Sequence, residues 1–456
     1  MRTTYIGRSF ARRRAAGGAT PVEEDGAMSR VPVPRRGRPA GVRGPAGRLV
    51  LALLLALTAA CASAGPYGGG GEGGERGEAG ELGRGERYER FRREAGFRYW
   101  VYVADEASDV VSRVRFDRDS IAVDRTIPVG IMPADLDGPH GLSISPDGRF
   151  WYLTTAHGTP FGRLWKYRTG SDVLVDSTQL GLFPATIGLT PDGTLAFVAD
   201  FDLHGDPVPS TLSVVETDPV LTETGRVTTC VKPHGVRVGP AGEHVYSVCV
   251  GSDELVDMTV QPARVSRTLR VSATGGAPCK PTWAQPSVDG DDVYVACNGA
   301  SEVLDVDLAT WAVARRFAVG KAPYNLAVTR DGRYLLATDK GEQAVSLVDL
   351  KDGTEAARIA TTRPLPHGVV VSPDSRYAFV TNEAVGAARS TVDVIDLDGK
   401  KRVASVEVEH QAGGIAFWRM APLRGPNPRF GRAFRPRERG EGGEGGGEIG
   451  EGGGGR

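Results

Sequence analysis

The segment PHGVVVSPDSRYAF, residues 366–379, decides the fold, because the same pattern recurs along the chain. Residues 139–152 repeat it as PHGLSISPDGRFWY. Four further copies begin at Pro184, Pro233, Pro281 and Pro323. In all six copies the proline stands 13 residues before a Tyr, Phe or Leu. A fixed internal pattern of this kind indicates repeated supersecondary units instead of unrelated domains.

Each copy has the pattern of two strands joined by a tight turn. Alternating apolar residues such as Leu142 and Ile144 predict a strand, and Asp147-Gly148 then forms a turn that tolerates positive φ. Two more strand-like stretches follow in each repeat, as at residues 302–308 and 311–317. Successive prolines stand 42 to 49 residues apart, which is the length of a four-stranded antiparallel propeller blade.

The two ends of the core supply one more blade. Residues 99–130 begin with YWVYVAD and provide three strands without a proline-led first strand. Residues 412–417, AGGIAF, have the pattern of a first strand with nothing after it. We therefore predict an all-β, seven-bladed β-propeller of four-stranded antiparallel blades over residues 97–420. Its first blade is closed by the C-terminal strand, so that the sheet edges are paired.

The core resembles the YVTN-repeat β-propeller family, part of the WD40/YVTN-like superfamily. The signature of that family stands here as Pro366-His367-Gly368, Ser372-Pro373-Asp374 and Phe379-Val380-Thr381-Asn382. The resemblance implies a seven-bladed propeller. The family includes surface-layer and other exported proteins, lactonase-like enzymes and the haem d1 domain of nitrite reductases, so the resemblance does not imply one activity.

The N-terminal region has the pattern of an export signal. Residues 1–60 hold 11 Arg and 3 acidic residues, and they include an apolar run at residues 49–57. This run is too short for a stable membrane span, and Met28 is an alternative start of the signal. The sequence LTAAC resembles a bacterial lipobox, which implies that Cys61 is lipidated and anchors the protein at the cell envelope, periplasmic or outer. Cleavage after Ala64 is the alternative and would release a soluble protein.

Low-complexity segments flank the predicted propeller. Residues 61–96 are rich in Gly, Glu and Arg, and residues 421–456 run from Pro and Arg into Glu-Gly repeats. Such compositions bury too little apolar surface to offset the entropy of ordering the chain. We predict a disordered tether and a disordered tail.

The four cysteines of the core fall at related repeat positions. Cys249 and Cys297 end second strands, and Cys230 and Cys279 precede the matching first strands. These two places lie on the same face of a blade, so we predict the disulfides Cys230–Cys249 and Cys279–Cys297, which suit an oxidising compartment. Other pairings remain open. A four-thiolate zinc site is a further alternative, although C-x-x-C spacing is absent.

Three histidines, His140, His234 and His367, share the second position of the proline-led strand and are predicted to ring one mouth of the central channel. Three imidazoles on one axis can ligate a metal or, when protonated, hold an anion. The alternative is a consensus turn in which each histidine bonds nearby backbone. The other candidates for ligand contact at this mouth are Tyr324, Thr282 and Trp283.

Other polar residues near this face are predicted to be structural. His157 and His410 lie close to the same mouth and are expected to be ordinary loop residues. Short polar residues that end second strands are expected to cap the following turns through their side chains. They are Asp105, Asp200, Asp339 and Asn382.

The sequence favours binding over catalysis. It contains no nucleophile elbow, zincin motif or P-loop. After residue 60 it carries 44 basic and 53 acidic residues, which argues against a nucleic-acid partner. We predict a monomeric, membrane-anchored scaffold without a cofactor that binds a small ligand or an envelope protein. The alternative is a lactonase-like hydrolase, or a propeller that carries a metal or a tetrapyrrole at the His-lined mouth.

Overall fold

The structure is a computed structural model that describes residues 96–131, 136–157 and 162–423. The predicted export signal, Cys61, nearly all of the predicted tether and the tail beyond residue 423 lie outside the described residues. Within the described ranges, no helix has the length and apolar character needed to cross a membrane. The helical elements found there are two 3-10 turns, Glu106–Ser108 and Thr274–Gly276.

Seven four-stranded antiparallel sheets make up the described region, which confirms the predicted propeller. Blade A contains β1 (Phe97–Asp105), β2 (Val110–Asp117), β3 (Ser120–Pro128) and, from the end of the chain, β28 (Ala412–Pro422). Blade B contains β4 (Pro139–Ile144), β5 (Phe150–Thr155), β6 (Arg163–Arg168) and β7 (Leu174–Gln179). Blade C contains β8 (Pro184–Leu189), β9 (Leu195–Asp200), β10 (Pro209–Glu216) and β11 (Thr222–Val231).

The remaining four blades repeat the same plan. Blade D contains β12 (Pro233–Val238), β13 (His244–Cys249), β14 (Glu254–Thr259) and β15 (Arg264–Arg270). Blade E contains β16 (Pro281–Pro286), β17 (Asp292–Cys297), β18 (Glu302–Asp307) and β19 (Ala312–Ala318). Blade F contains β20 (Pro323–Val328), β21 (Tyr334–Asp339), β22 (Ala344–Asp349) and β23 (Thr354–Ala360). Blade G contains β24 (Pro366–Val371), β25 (Tyr377–Asn382), β26 (Thr391–Asp396) and β27 (Lys401–Glu407).

The proline of every repeat opens the innermost strand of its blade, as the sequence pattern predicts. The residue just before each of these strands has a positive φ, for example 62° at Gly138 and 47° at Lys280. This left-handed residue lets the chain turn sharply as it returns from the rim of one blade to the axis of the next. The repeat therefore places the first residues of every innermost strand at the same end of the channel.

Blade A is closed by both ends of the propeller sequence. Strand β1 lies between β2 and β28, and Val103 stands opposite Ile415 in an antiparallel register. The innermost strands contact one another around the ring, with β28 between those of blades G and B. This confirms that residues 412–417 complete the blade that starts near Tyr99.

The hydrophobic core lies between the faces of neighbouring blades. Between blades A and B, for example, the Tyr102 ring stacks on Trp151 at a centroid distance of 5.5 Å, and Trp151 stacks on Tyr167 at 3.9 Å. Between blades G and A, Tyr99 packs against Phe379 and Val394. Each blade therefore buries both faces, and the ring is held by a series of similar cores.

Both predicted disulfides are present. Cys230 pairs with Cys249, and Cys279 pairs with Cys297. Cys230 belongs to the last strand of blade C, so its bond joins two consecutive blades, whereas Cys279 precedes β16 and is bonded to the end of β17 in the same blade. The zinc alternative for these four residues is wrong, because their sulfur atoms are bonded to each other.

Candidate functional site

The three histidines of the repeat meet at one end of the channel. His140, His234 and His367 are buried, with exposed fractions of 9%, 3% and 4%. The ring centroid of His140 lies 6.3 Å from that of His234 and 5.7 Å from that of His367. Tyr324 completes the group, at 5.6 Å from His234 and 4.5 Å from His367. The predicted convergence is therefore what the structure shows.

A carboxylate that the sequence patterns did not identify organises one side of this group. Glu106 follows β1, and its Oε2 lies 2.9 Å from Nδ1 of His140. Its other oxygen, Oε1, lies 3.0 Å from Nε2 of His157. His157, expected to be an ordinary loop residue, thus joins the site, and its side chain is 34% exposed. Glu106 bridges a buried and an accessible imidazole.

The surroundings of Glu106 and His140 favour an ion pair between them. Burial alone would raise the pKa of Glu106, but the charge of His140 and the hydrogen bonds from both histidines outweigh it and lower that pKa. Burial alone would lower the pKa of His140, yet the charge of Glu106 outweighs burial and raises it. Each partner therefore favours the charged form of the other.

His234 is held neutral in one defined tautomer. Its Nδ1 lies 2.8 Å from the carbonyl oxygen of Thr282, and because a carbonyl only accepts, Nδ1 carries the proton. Its Nε2 then accepts from the Tyr324 hydroxyl at 3.2 Å. Burial, together with the charge of His140, lowers the pKa of His234 to about 3. Thr282 contributes its backbone carbonyl from the neighbouring blade, so this bond does not lie within the Pro-His-Gly turn of His234.

A second carboxylate and a lysine lie on the other side of the group. Oε1 of Glu383 is 3.5 Å from Nε2 of His367 and 2.8 Å from Nζ of Lys340. The same Nζ lies 4.3 Å from the centroid of the Tyr324 ring. Burial and the charge of Lys340 lower the pKa of His367 well below its ordinary value. Burial and Glu383 raise the pKa of the Tyr324 hydroxyl.

The charged residues of the site share one repeat position that sequence analysis did not use. Glu106, Lys340 and Glu383 each follow the last residue of a second strand. The equivalent residues elsewhere are Ala156, Phe201, Val250 and Asn298. The available signal was therefore a charged residue at a repeat position that is uncharged in the other four blades. We call the eight convergent residues the mouth cluster: Glu106, His140, His157, His234, Tyr324, Lys340, His367 and Glu383.

Trp283 lies deeper and lines a channel cavity of about 30 Å³. It is 5% exposed, and its ring centroid is 6.1 Å from that of His234. Ligand pockets usually measure about 300–1,000 Å³. The cavity beside the buried histidines is therefore far below that range. Trp283 fills part of the channel, and its contact with a ligand stays a prediction.

The donor set does not form a metal site. His140 and His234 use their Nδ1 atoms for Glu106 and Thr282, and His234 uses Nε2 for Tyr324. Within the described ranges, no three His, Cys, Asp or Glu side chains stand where they could ligate one ion. The arrangement suits hydrogen bonding to a polar ligand better than direct coordination.

The aspartates at the ends of second strands act within their blades. Their carboxylates accept from hydroxyls of the third strand, for example Asp105 from Ser112 at 2.6 Å and Asp339 from Ser346 at 2.8 Å. The predicted side-chain capping of the turns is therefore wrong for these aspartates, because their hydrogen bonds go to the third strand. Burial raises the pKa of Asp105 to about 8 and that of Asp339 to about 7.

Two larger grooves lie at the opposite face of the propeller. One, of about 580 Å³, is lined by turns such as Thr190–Leu195 and Ala241–His244, and the other, of about 610 Å³, includes Ser287 and Arg333. Both grooves lie between the strand turns of adjacent blades. The propeller fold itself leaves a gap of this kind between neighbouring blades. The mouth cluster, although more enclosed, is where ionisable groups from several blades converge.

Comparison with known proteins supports the fold. No protein-family profile matches the chain, and no curated protein matches it. Among solved structures, the periplasmic gluconolactonase of Pseudomonas aeruginosa is similar with a TM-score of 0.59 and 18% identity, over 71% of this chain and 99% of that one. A 6-phosphogluconolactonase candidate from Bacteroides uniformis has a TM-score of 0.57 and 14% identity, with 71% and 99% covered.

A third structure extends the range of functions found on this fold. The hydrazine synthase of Kuenenia stuttgartiensis is similar with a TM-score of 0.52 and 17% identity, over 63% of this chain and 93% of that one. At such identities the likeness shows the fold alone, because one fold hosts unrelated activities. The chain is a seven-bladed β-propeller with lactonase-named structural neighbours.

Proposed function

We propose that this protein is an exported, lipid-anchored propeller of the YVTN type that binds a small polyhydroxylated ligand, such as a sugar acid or sugar lactone, at the mouth cluster. The observation that carries the proposal is the convergence of two carboxylates, a lysine, a tyrosine and four histidines from five blades on one end of the channel. Structural repeats alone do not require such a concentration of buried ionisable groups.

The chemistry of the mouth cluster suits hydroxyl groups. Glu106 and Glu383 can accept from them, and Lys340 can donate to them. Aromatic rings border the same mouth: Phe183 lies 4.8 Å from His157 and Phe201 lies 4.9 Å from His234, between ring centroids. Aromatic walls with a few polar groups are the usual composition of a small-molecule site. The lysine side chain is 24% exposed, so a ligand can approach from outside.

Binding without turnover is the leading form of the proposal. His140, His234 and His367 lie beneath the surface, and the cavity beside them is too small for a sugar ring. They support the floor of the site, and the ligand would contact its accessible rim. The two carboxylates then act as hydrogen-bond acceptors, not as nucleophiles.

Lactone hydrolysis is the second candidate, and His157 favours it. This imidazole is accessible and is oriented by the ionised Glu106, which is the arrangement of a general base that activates water. Two of the similar structures are named as lactonases. In this form His157 would take a proton from water as the water attacks the lactone carbonyl. It would return that proton to the ring oxygen as the ring C–O bond breaks to give the hydroxy acid.

The test is calorimetric titration with sodium gluconate, together with pH-stat measurement of glucono-1,5-lactone hydrolysis. The substitution Glu106→Gln should weaken gluconate binding about tenfold, because hydrogen bonds to charged groups contribute about 1.5–3 kcal/mol. Glu243→Gln, at an exposed turn of the opposite face, is the matched control. No binding of gluconate or of related polyols, or equal binding by both variants, would refute the proposal.

The hydrolysis assay separates the two candidates. Turnover above the spontaneous rate that disappears in His157→Gln, with gluconate binding retained, would establish the lactonase. Binding without turnover in the wild type would establish the scaffold.

Export and anchoring have their own test. The two disulfides support an oxidising compartment. Replacement of Cys61 by Ser should move the protein from the membrane fraction to the soluble fraction of its host. A wild-type protein that is already soluble and begins at Gly65 would contradict the anchor.

A further inference from the structure

A second polar feature lies deeper in the channel than the mouth cluster. Arg237, on the innermost strand of blade D, lines the channel cavity of about 30 Å³ together with Trp283, Asn325 and His367. It occupies the fifth position of its strand. The equivalent residues of the other blades are uncharged: Ser143, Gly188, Gln285, Ala327, Val370 and Ala416. The repeat itself therefore does not call for a cation here.

The guanidinium of Arg237 has few partners. One nitrogen, Nη1, donates to the carbonyl oxygen of Val236 at 2.8 Å, and the group lies 4.4 Å from the centroid of the Trp283 ring. No ion pair to Arg237 occurs within the described part of the chain, and the cavity lining there includes no carboxylate. An arginine presents five N–H donors, so most of these donors bond no protein group in the described part of the chain.

Arg237 is only partly exposed, and a positive charge with restricted access to water and no counter-charge is costly. Burial lowers the pKa of Arg237 to about 10, which still leaves the group protonated at neutral pH. Neutralisation by deprotonation is thus not available under ordinary conditions. An anion that enters from solution would offset the charge more fully than water at this partly exposed place.

Three other side chains that line the same cavity carry polar atoms without a protein partner. Nε1 of Trp283, Oδ1 of Asn325 and Nδ1 of His367 have no hydrogen-bond partner. The three side chains are 5%, 5% and 4% exposed. The Trp283 N–H can only donate, and the Asn325 amide offers donors when its two ends are exchanged. Buried polar groups normally have partners, so these atoms also indicate a missing polar ligand.

We propose that the channel binds one small monovalent anion, of halide or formate size, between Arg237 and the indole N–H of Trp283. The cavity volume sets the size, because a water needs about 10–15 Å³ by this measure and the cavity offers about 30 Å³. Sulfate, phosphate and sugar acids are too large for it. The anion offsets the guanidinium charge inside the ring and ties blade D to blade E.

The test uses the intact protein and bromide. Crystals grown or soaked in sodium bromide should show an anomalous peak in the channel next to Arg237. At constant ionic strength, the unfolding temperature should rise when sodium methanesulfonate is replaced by sodium chloride, sodium bromide or sodium formate. The reason is that a ligand that binds only the folded state stabilises that state. A higher unfolding temperature in formate but not in the halides would identify a carboxylate as the ligand. The opposite result would identify a halide.

The matched variants are Arg237→Gln and Arg330→Gln, the latter at an exposed turn. Arg237→Gln should weaken the anion effect about tenfold to a hundredfold, because charge-assisted hydrogen bonds are the ones lost. Arg330→Gln should leave the effect unchanged. If Arg237→Gln does not fold, the bromide map and the salt series of the wild type still decide. A channel without bromide, together with an unfolding temperature that none of the three salts raises, would overturn the proposal.

This inference goes beyond the proposed function and does not depend on it. Gluconate binding at the mouth cluster and bromide binding in the channel are measured separately. Either one can fail without the other.

Discussion

Nδ1 of His140 lies 2.9 Å from Oε2 of Glu106, and this contact joins blade B to blade A near the point where the ring closes. Both groups are nearly buried, with side-chain exposures of 11% and 10%. Their pKa values move in opposite directions because each stabilises the charge of the other. The ion pair therefore serves both the closure of the propeller and the organisation of the mouth cluster.

The pair should give stability a specific pH dependence. The folded pKa of His140 is raised above its ordinary 6.5, so its contribution is full below pH 6.5 and is lost as pH rises through the raised value. The folded pKa of Glu106 is lowered from 4.5, so its contribution is present above pH 4.5 and is lost as pH falls through the lowered value. The pair stabilises most between these limits.

The measurement is urea unfolding of the wild type and of Glu106→Gln across pH. We expect Glu106→Gln to be less stable by about 1–3 kcal/mol between pH 4.5 and 6.5, and the gap to narrow at higher pH. The difference in unfolding free energy between the two proteins is the quantity to follow, because other histidines also respond to pH. His234 and His367 have lowered pKa values, so, unlike His140, they reduce stability as pH falls below 6.5. A gap that widens toward alkaline pH would contradict the ion pair.

The close approach of the innermost strands predicts that Gly414 tolerates no side chain. A Cβ at Gly414 would lie within 2.1 Å of the carbonyl oxygen of His140. Gly414→Ala should therefore push β28 away from β4 and destabilise the protein by about 1–3 kcal/mol, the usual cost of overpacking. Gly225→Ala is the matched control, since a Cβ there meets nothing within 4 Å. Equal unfolding midpoints for the two variants would show that the strands can separate without cost.

The sequence predicts the architecture well because each blade repeats one local pattern. Pro139 and Pro366 open innermost strands, and the closing strand at Ala412 follows from the blade that lacks one. The site was predictable only in part. His140, His234 and His367 share one repeat position, and Glu106 and Lys340 share another, but the repeat does not tell that the curvature of the ring brings the two positions together. The aspartates were misassigned because strand ends and turns look alike in sequence.

The disulfides should contribute measurable stability. They close loops with sequence separations of 19 and 18 residues, and the loop-entropy relation assigns about 3 kcal/mol to loops of that size. Cys249→Ala and Cys297→Ala should each lower the unfolding free energy by roughly that amount under oxidising conditions. The comparison is repeated with reductant, and under that condition the unfolding free energies of the wild type and the variants should become equal. Variants as stable as the oxidised wild type would show that the bonds do not constrain the unfolded chain.

Closure of blade A predicts which C-terminal truncations the protein survives. A chain that ends at Gln411 lacks β28, so β1 becomes an exposed edge and the hydrophobic surface of Tyr99 and Val103 loses part of its cover. This truncation should abolish cooperative thermal unfolding and make blade A sensitive to protease. A chain that ends at Leu423 keeps β28 and the hydrogen bond from the Leu423 amide to Gly96, so its unfolding midpoint should match that of the full chain. Equal midpoints for both truncations would mean that the ring does not depend on its last strand.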